Sequence, residues 1–171
     1  PSNYAGFQAL TDPANQEKFQ KLYGRDIDLE KGITKVTALD QCGDRIKAML
    51  IDGENTVVSD PDRDHCEHAL RALDHLVVID IFLTETAELA DVVLPATAWG
   101  ETDGVFTNTE RRVQRVRAAV SPQGEAKPDW WIISQIAKRL GLEGFDFVGA
   151  KDVFNELCSL STIYAGLNWD R

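Results

Sequence analysis

Three short apolar runs stand out along the chain: Arg45–Ile51 (RIKAMLI), His75–Phe82 (HLVVIDIF) and Asp91–Ala96 (DVVLPA). Each is long enough for a strand and too short for a helix. Between the first two, Cys66, Ala69, Leu70 and Leu73 recur at i, i+3, i+4 and i+7, the spacing of one helical face. Ser59-Asp60-Pro61 lies just ahead and predicts the start of that helix, with Ser59 as cap and a proline in the first turn. Between the second and third runs, residues 84–90 (TETAELA) predict a brief helix, and Pro95 ends the third run.

Strand–helix–strand–helix–strand with short connections predicts parallel strands joined by right-handed crossovers. The fold class expected is therefore α/β: a partial doubly wound, mostly parallel sheet flanked by helices, half of a Rossmann-like dinucleotide-binding fold.

Outside this centre the pattern is looser. Residues 1–11 read as irregular. Asp12-Pro13 predicts a capped helix with Phe19, Leu22 and Tyr23 as its apolar stripe and Gly24 as its end. Residues 25–43 predict loop, with one helical turn near Val36–Leu39. The valine-rich stretch 104–120 predicts an extended excursion or hairpin. Asp129 is expected to cap a helix in which Ile133, Ile136, Ala137 and Leu140 repeat, closed by Gly141. A last helix, about 150–160, presents Val153, Phe154, Leu157 and Cys158. The division expected is an N-terminal extension with one helix (1–44), an α/β domain (45–148), and a C-terminal helix and tail (149–171).

Composition narrows the function classes. With 18 Lys and Arg against 28 Asp and Glu, the net charge is −10. That balance argues against nonspecific contact with nucleic acid or an anionic membrane surface. No run approaches the ~20 apolar residues that cross a bilayer. Cys42, Cys66 and Cys158 are widely spaced with no CxxC pair, which disfavours a disulfide framework and a cysteine-built metal site within this chain. A reducing, cytoplasmic setting is the expectation. The opening Pro-Ser-Asn, without a methionine, suggests an excised piece or a processed product.

In open parallel sheets, ligands bind at the carboxyl ends of the strands. Gly53, Glu54, Asn55 and Ser59 follow the first run, Asp80 and Thr84 the second, and Pro95, Ala96, Thr97 and Trp99 the third. Each has a purely structural use: Gly53 for a tight turn, Ser59 and Asp80 as caps. Together they suit a nucleotide, because carboxylates accept hydrogen bonds from ribose hydroxyls and guanine nitrogens, and helix N-termini receive phosphate. The G-x-G-x-x-G fingerprint is absent, which disfavours ordinary NAD or FAD binding, and so is a P-loop. His65 and His68 are one helical turn apart, but nothing completes a familiar ligand set, so no metal ligand is assigned. Glu101, Asp103 and Glu110 have no nucleophile to activate. The arginines of RRVQRVR (111–117) alternate with apolar residues and read as one strand face paired with surplus acids.

The words DGENTVVSDPD (52–62), LVVIDIFLTETAELADVVLPATAWGETDGVFTNTERRVQRVRAAV (76–120) and PDWWIISQIAKRLG (128–141) resemble the molybdopterin oxidoreductase family. They are most similar to the catalytic α subunits of molybdenum- or tungsten-dependent formate dehydrogenases, and DPANQEKFQKLYG near the start fits that subfamily. The resemblance implies an enzyme that oxidises formate to carbon dioxide, with molybdopterin guanine dinucleotide holding Mo or W. It also implies an iron–sulfur cluster in the full-length subunit, and as partners the remaining domains of that subunit and electron-transfer iron–sulfur subunits. Carried over by position, Gly53, Glu54, Asn55 and Ser59 match a first cofactor loop, Asp80 and Thr84 the second-strand contacts, and Asp129 a further position near the cofactor.

Ile79 stands where many relatives have glutamine, and Thr56 where a proline often follows. The family's cluster cysteines, its metal-binding cysteine or selenocysteine with adjacent histidine, and its substrate-facing arginine have no counterpart here. No catalytic residue is carried over, and the chain alone is not expected to oxidise formate. Three alternatives stay open. One is the cofactor-free scaffold domain of the large iron–sulfur subunit of NADH–quinone oxidoreductase. Another is a different molybdopterin oxidoreductase such as nitrate reductase, and the third is a stand-alone nucleotide-binding or assembly module.

Overall fold

The computed structural model of the chain describes residues 3–24 and 32–170; the loop expected at 25–31 lies outside the described residues. The chain divides into two compact units, one from the described residues of 1–35 with those of 151–171, the other from residues 36–150.

The second unit is built on a three-stranded parallel sheet. Its strands are β3 (Ala48–Asp52), β4 (His75–Asp80) and β5 (Val92–Pro95), in the order β3-β4-β5, with Leu50 opposite Val77 and Ile79 opposite Leu94. The chain reaches β4 through two helices, α3 (Thr56–Ser59) and α4 (Arg63–Arg71). The crossover to β5 contains a 3₁₀ turn at Ala87–Leu89 where a brief α-helix is predicted.

Successive strand residues point to opposite faces, and the two faces of β4 enter different cores. Leu76 and Val78 join Cys66, Ala69 and Leu70 of α4, with Ile51, Val57 and Leu39. Ile79 joins Ala96 and Ile132, with Leu94 and Ile136 packed against them. Ile132 and Ile136 belong to α5 (Asp129–Arg139). Helices therefore cover both faces, the layering of a doubly wound fold. The short α2 (Lys35–Leu39) sits where a helical turn is predicted. Residues 104–120 contain an antiparallel hairpin of β6 (Gly104–Thr107) and β7 (Val113–Val116), turned at Asn108–Arg112, with Arg111 at φ 63°.

Three local expectations are corrected. The crossover helix is capped by Asp62, whose carboxylate accepts from the His65 amide at 3.1 Å; Ser59 instead ends α3. Asp129 is the first residue inside α5 and not its cap, which is Pro128. The buried stripe of α5 is Ile132, Ser134 and Ala137, while Ile133 and Leu140 are 41% and 73% exposed.

In the first unit, residues 3–9 form a two-residue antiparallel pairing where irregular chain is predicted, β1 (Asn3–Tyr4) with β2 (Gln8–Ala9). The reversal is made by left-handed Gly6 and Phe7 at φ 71° and 60°. A Cβ at Gly6 would lie 2.0 Å from the Ser161 hydroxyl, so only glycine fits. Asp12 caps α1 (Pro13–Tyr23) as predicted, Gly24 ends it in the left-handed region, and buried Phe19 stacks on Tyr4 at 4.3 Å. The last helix, α6 (Ala150–Leu160), buries Phe154.

Candidate functional site

Parallel strands bring their carboxyl ends to one edge of the sheet. Asp52 is the last residue of β3 and Asp80 the last of β4. Beyond β5 the edge is extended by residue 127: Lys127 donates to the Pro95 carbonyl at 3.0 Å, and the Thr97 amide donates to the Lys127 carbonyl at 3.1 Å. Two residues later the chain places Asp129 in the first turn of α5. Three carboxylates from three separate segments are thus gathered at one edge.

Their charges interact. The Asp52 carboxyl is held above the ordinary carboxylate range, first by reduced hydration against the sheet, then by the charges of Asp129 and Asp80. Asp129 is raised by reduced hydration and by the Asp80 charge, against the lowering effect of a backbone hydrogen bond. Asp52 and Asp129 are both exposed. Asp80 is half-buried, and one of its oxygens accepts from the Phe82 amide at 3.3 Å. Among the described residues, no three His, Cys, Asp or Glu side chains are arranged to hold a metal ion.

Asp52 is the residue that the sequence analysis passed over. It ends an apolar run and is followed by the more conspicuous Gly-Glu-Asn. Its signal was position alone: parallel pairing of the first two runs sets its strand end beside that of Asp80.

The other candidates lie in the loops flanking this edge. Gly53 is left-handed at φ 64° with open space where a Cβ would stand, and its amide donates to the Ile79 carbonyl at 2.9 Å. The Ser59 hydroxyl donates to Glu54 at 3.0 Å. The Thr84 hydroxyl accepts from the Ala87 amide at 3.2 Å, capping the turn after β4. Asn55 reaches across to that same turn, donating to Glu85 at 2.7 Å and accepting from the Thr86 hydroxyl at 2.9 Å. Thr97, buried just past β5, carries a hydroxyl with no hydrogen-bond partner among the described residues.

A parallel sheet with helices on both faces, its carboxyl edge acidic and turned by a glycine, defines an α/β unit of the doubly wound class. The chain belongs to the molybdopterin oxidoreductase family, whose model matches residues 2–139. It is 47% identical to the F420-dependent formate dehydrogenase subunit alpha of Methanocaldococcus jannaschii, an alignment covering 100% of this chain and 25% of that protein. It is 43% identical to a Bacillus subtilis protein carrying the name formate dehydrogenase, over 99% of this chain and 17% of that one. The chain thus spans a quarter or less of these relatives. Among solved structures it is similar to the acetylene hydratase from Pelobacter acetylenicus, with a TM-score of 0.68 and 26% identity over 99% of this chain and 23% of that one.

Proposed function

We propose that this chain is the segment of a formate dehydrogenase α subunit that forms one wall of a site for molybdopterin guanine dinucleotide carrying Mo or W. The observation that carries this reading is the edge shared by Asp52, Asp80 and Asp129, in a chain whose relatives are named for formate dehydrogenase. The residues fit the nucleoside end of such a cofactor. Guanine offers adjacent N–H donors and ribose offers hydroxyls, and ionised carboxylates only accept. The unpartnered Thr97 hydroxyl is a further group that a hydrogen-bonding ligand would satisfy.

In this reading Asp80 and Asp129, with Asp52, orient the nucleoside. Gly53 keeps the backbone open to close approach, and Glu54, Asn55, Ser59 and Thr84 shape the loops on either side. Residues 45–148 are the dinucleotide-binding part. The diphosphate, repelled by the acidic edge, is met by backbone N–H groups. When bound, the cofactor and its metal supply the two-electron chemistry that takes formate to carbon dioxide. This chain contributes binding and orientation. The catalytic groups, an iron–sulfur cluster, the other domains of the subunit, electron-transfer iron–sulfur subunits and a cytoplasmic setting all belong to the proposal. Among the described residues, no helix is long and apolar enough to cross a membrane.

The fold of this segment does not choose the reaction, and the similarity to a protein named as a hydratase favours a second reading, a molybdopterin enzyme of different substrate. One assay separates them. Expressed at native length and loaded with metal, the protein is expected to reduce an artificial electron acceptor with formate and to release guanine nucleotide on acid hydrolysis. Metal-loaded protein that leaves formate untouched would sink the formate assignment; metal without guanine nucleotide would sink the dinucleotide.

A further inference from the structure

The two loops beside the acidic edge are joined by a small hydrogen-bond network that none of the assigned roles explains. Its centre is Thr86, which is 0% exposed. The Thr86 hydroxyl accepts from the Val57 amide at 3.0 Å and donates to Asn55 Oδ1 at 2.9 Å. The Thr86 amide donates to the same Asn55 oxygen at 3.3 Å, and Asn55 Nδ2 donates to Glu85 Oε2 at 2.7 Å. This last bond is the first cause holding the Glu85 carboxyl below the usual range.

Hydrogen-bond capacity shows how fully the network is committed. The amide oxygen of Asn55 accepts twice and its nitrogen has given one of two N–H groups. The Thr86 hydroxyl donates its proton and accepts one bond, so its rotor is fixed. Residues 55–57, just after β3, are thereby tied to residues 85–86, just after β4, across 29 to 31 positions of sequence. Between these anchor points and the strand ends lie Gly53 and Glu54 on one side and Ile81 to Thr84 on the other.

We propose that Thr86 and Asn55 are positioning residues: together they form a latch that sets the spacing of the two loops between which the nucleoside is held, and Asn55 acts through this latch instead of touching the ligand. The inference rests on the nucleotide-site reading above. A hydroxyl is required because the position needs a side chain that both donates and accepts while buried. Valine has the same shape but leaves the Val57 amide without its acceptor and removes one of the two donors to the Asn55 oxygen.

The test uses the native-length protein prepared without cofactor, with GDP as the probe and calorimetry as the readout. Thr86→Val is expected to weaken GDP binding about tenfold, the scale of a lost buried hydrogen bond carried into an affinity. Thr86→Ser, which keeps the hydroxyl, is expected to restore it. Amide hydrogen exchange should show lost protection in both loops of Thr86→Val, not in one. If Thr86→Val lowers thermal stability while leaving GDP affinity unchanged, the network is only structural and the positioning role is overturned. If the unmutated protein does not bind GDP and Asp80→Ala changes nothing, the nucleotide-site reading itself fails, and the latch role falls with it.

Discussion

Along β4, Leu76, Val78 and Ile79 are at most 1% exposed and divide between two apolar cores, whereas Asp80, one step further, is half-buried and faces other carboxylates. The strand interior gains stability by removing apolar area from water. The strand end does the reverse, because holding like charges together disfavours the folded state. The sheet therefore separates apolar packing from gathered charge by position along the strand.

The two halves of this contrast are expected to break differently. Leu76→Ala should have the largest effect, a loss of about 2–5 kcal/mol in urea unfolding, because it opens a cavity in the packed interior. Its GDP affinity, measured on the fraction that folds, should hold. Asp80→Ala should do the opposite: about a 10- to 100-fold loss of GDP affinity, the range of a hydrogen bond to a charged group, with the melting temperature nearly unchanged. Equal binding by this variant and the original would remove Asp80 from the site.

Gly53→Ala should cost about 1 kcal/mol of stability, from the left-handed backbone alone, since the Cβ meets open space. A much larger loss would show hidden crowding at that turn.

The smallest effect is pH-dependent. The folded pKa of Asp129 is raised, so the native state holds a proton more readily than the unfolded chain does. Stability attributable to Asp129 falls as pH rises from its unfolded value, about 3.9, through the raised value, and the penalty is complete above that. Asp129→Asn should therefore stabilise by about 0.5 kcal/mol at neutral pH, discounted for exposure, and the gain should vanish near pH 3.5. Denaturant midpoints at the two pH values read this directly. A variant less stable at pH 7 would mean that the favourable placement of a carboxylate in the first turn of α5 outweighs the like-charge repulsion.

The strands were legible because each is a continuous apolar run, although only β4 is buried on both faces; Leu50 of β3 and Val92 of β5 are 44% and 39% exposed. The face of α4 was legible from Cys66, Ala69 and Leu70, all buried as spaced. The phase of α5 was not. Stripes starting at Ile132 or at Ile133 share Ile136 and Ala137, and only the position of Ile79 and Ala96 chooses between them. Ser59 and Asp62 are both good caps three residues apart, and the short α3, which ends on Ser59, takes up the first. At the edge, the glycine and acid at the strand ends gave the candidates Gly53 and Asp80, and the family resemblance gave Asp129. The gathering of Asp52 with the other two carboxylates depended on strand register, and the latch at Thr86 on a contact across 29 residues. Neither leaves a local pattern in sequence.

One further consequence concerns the order in which the molecule can form. The three paired strands lie within residues 48–95, so the sheet closes through short loops at modest entropic cost. In the other unit, Gln8 donates to the Leu160 carbonyl at 2.8 Å, and Lys18 bonds the same carbonyl, across 152 and 142 positions. As a chain made from its amino end emerges from the ribosome, the sheet has all its partners by residue 95, while Gln8 and Lys18 wait for Leu160. Any interruption of synthesis between those points would leave the three strands already paired and the companion unit half-made.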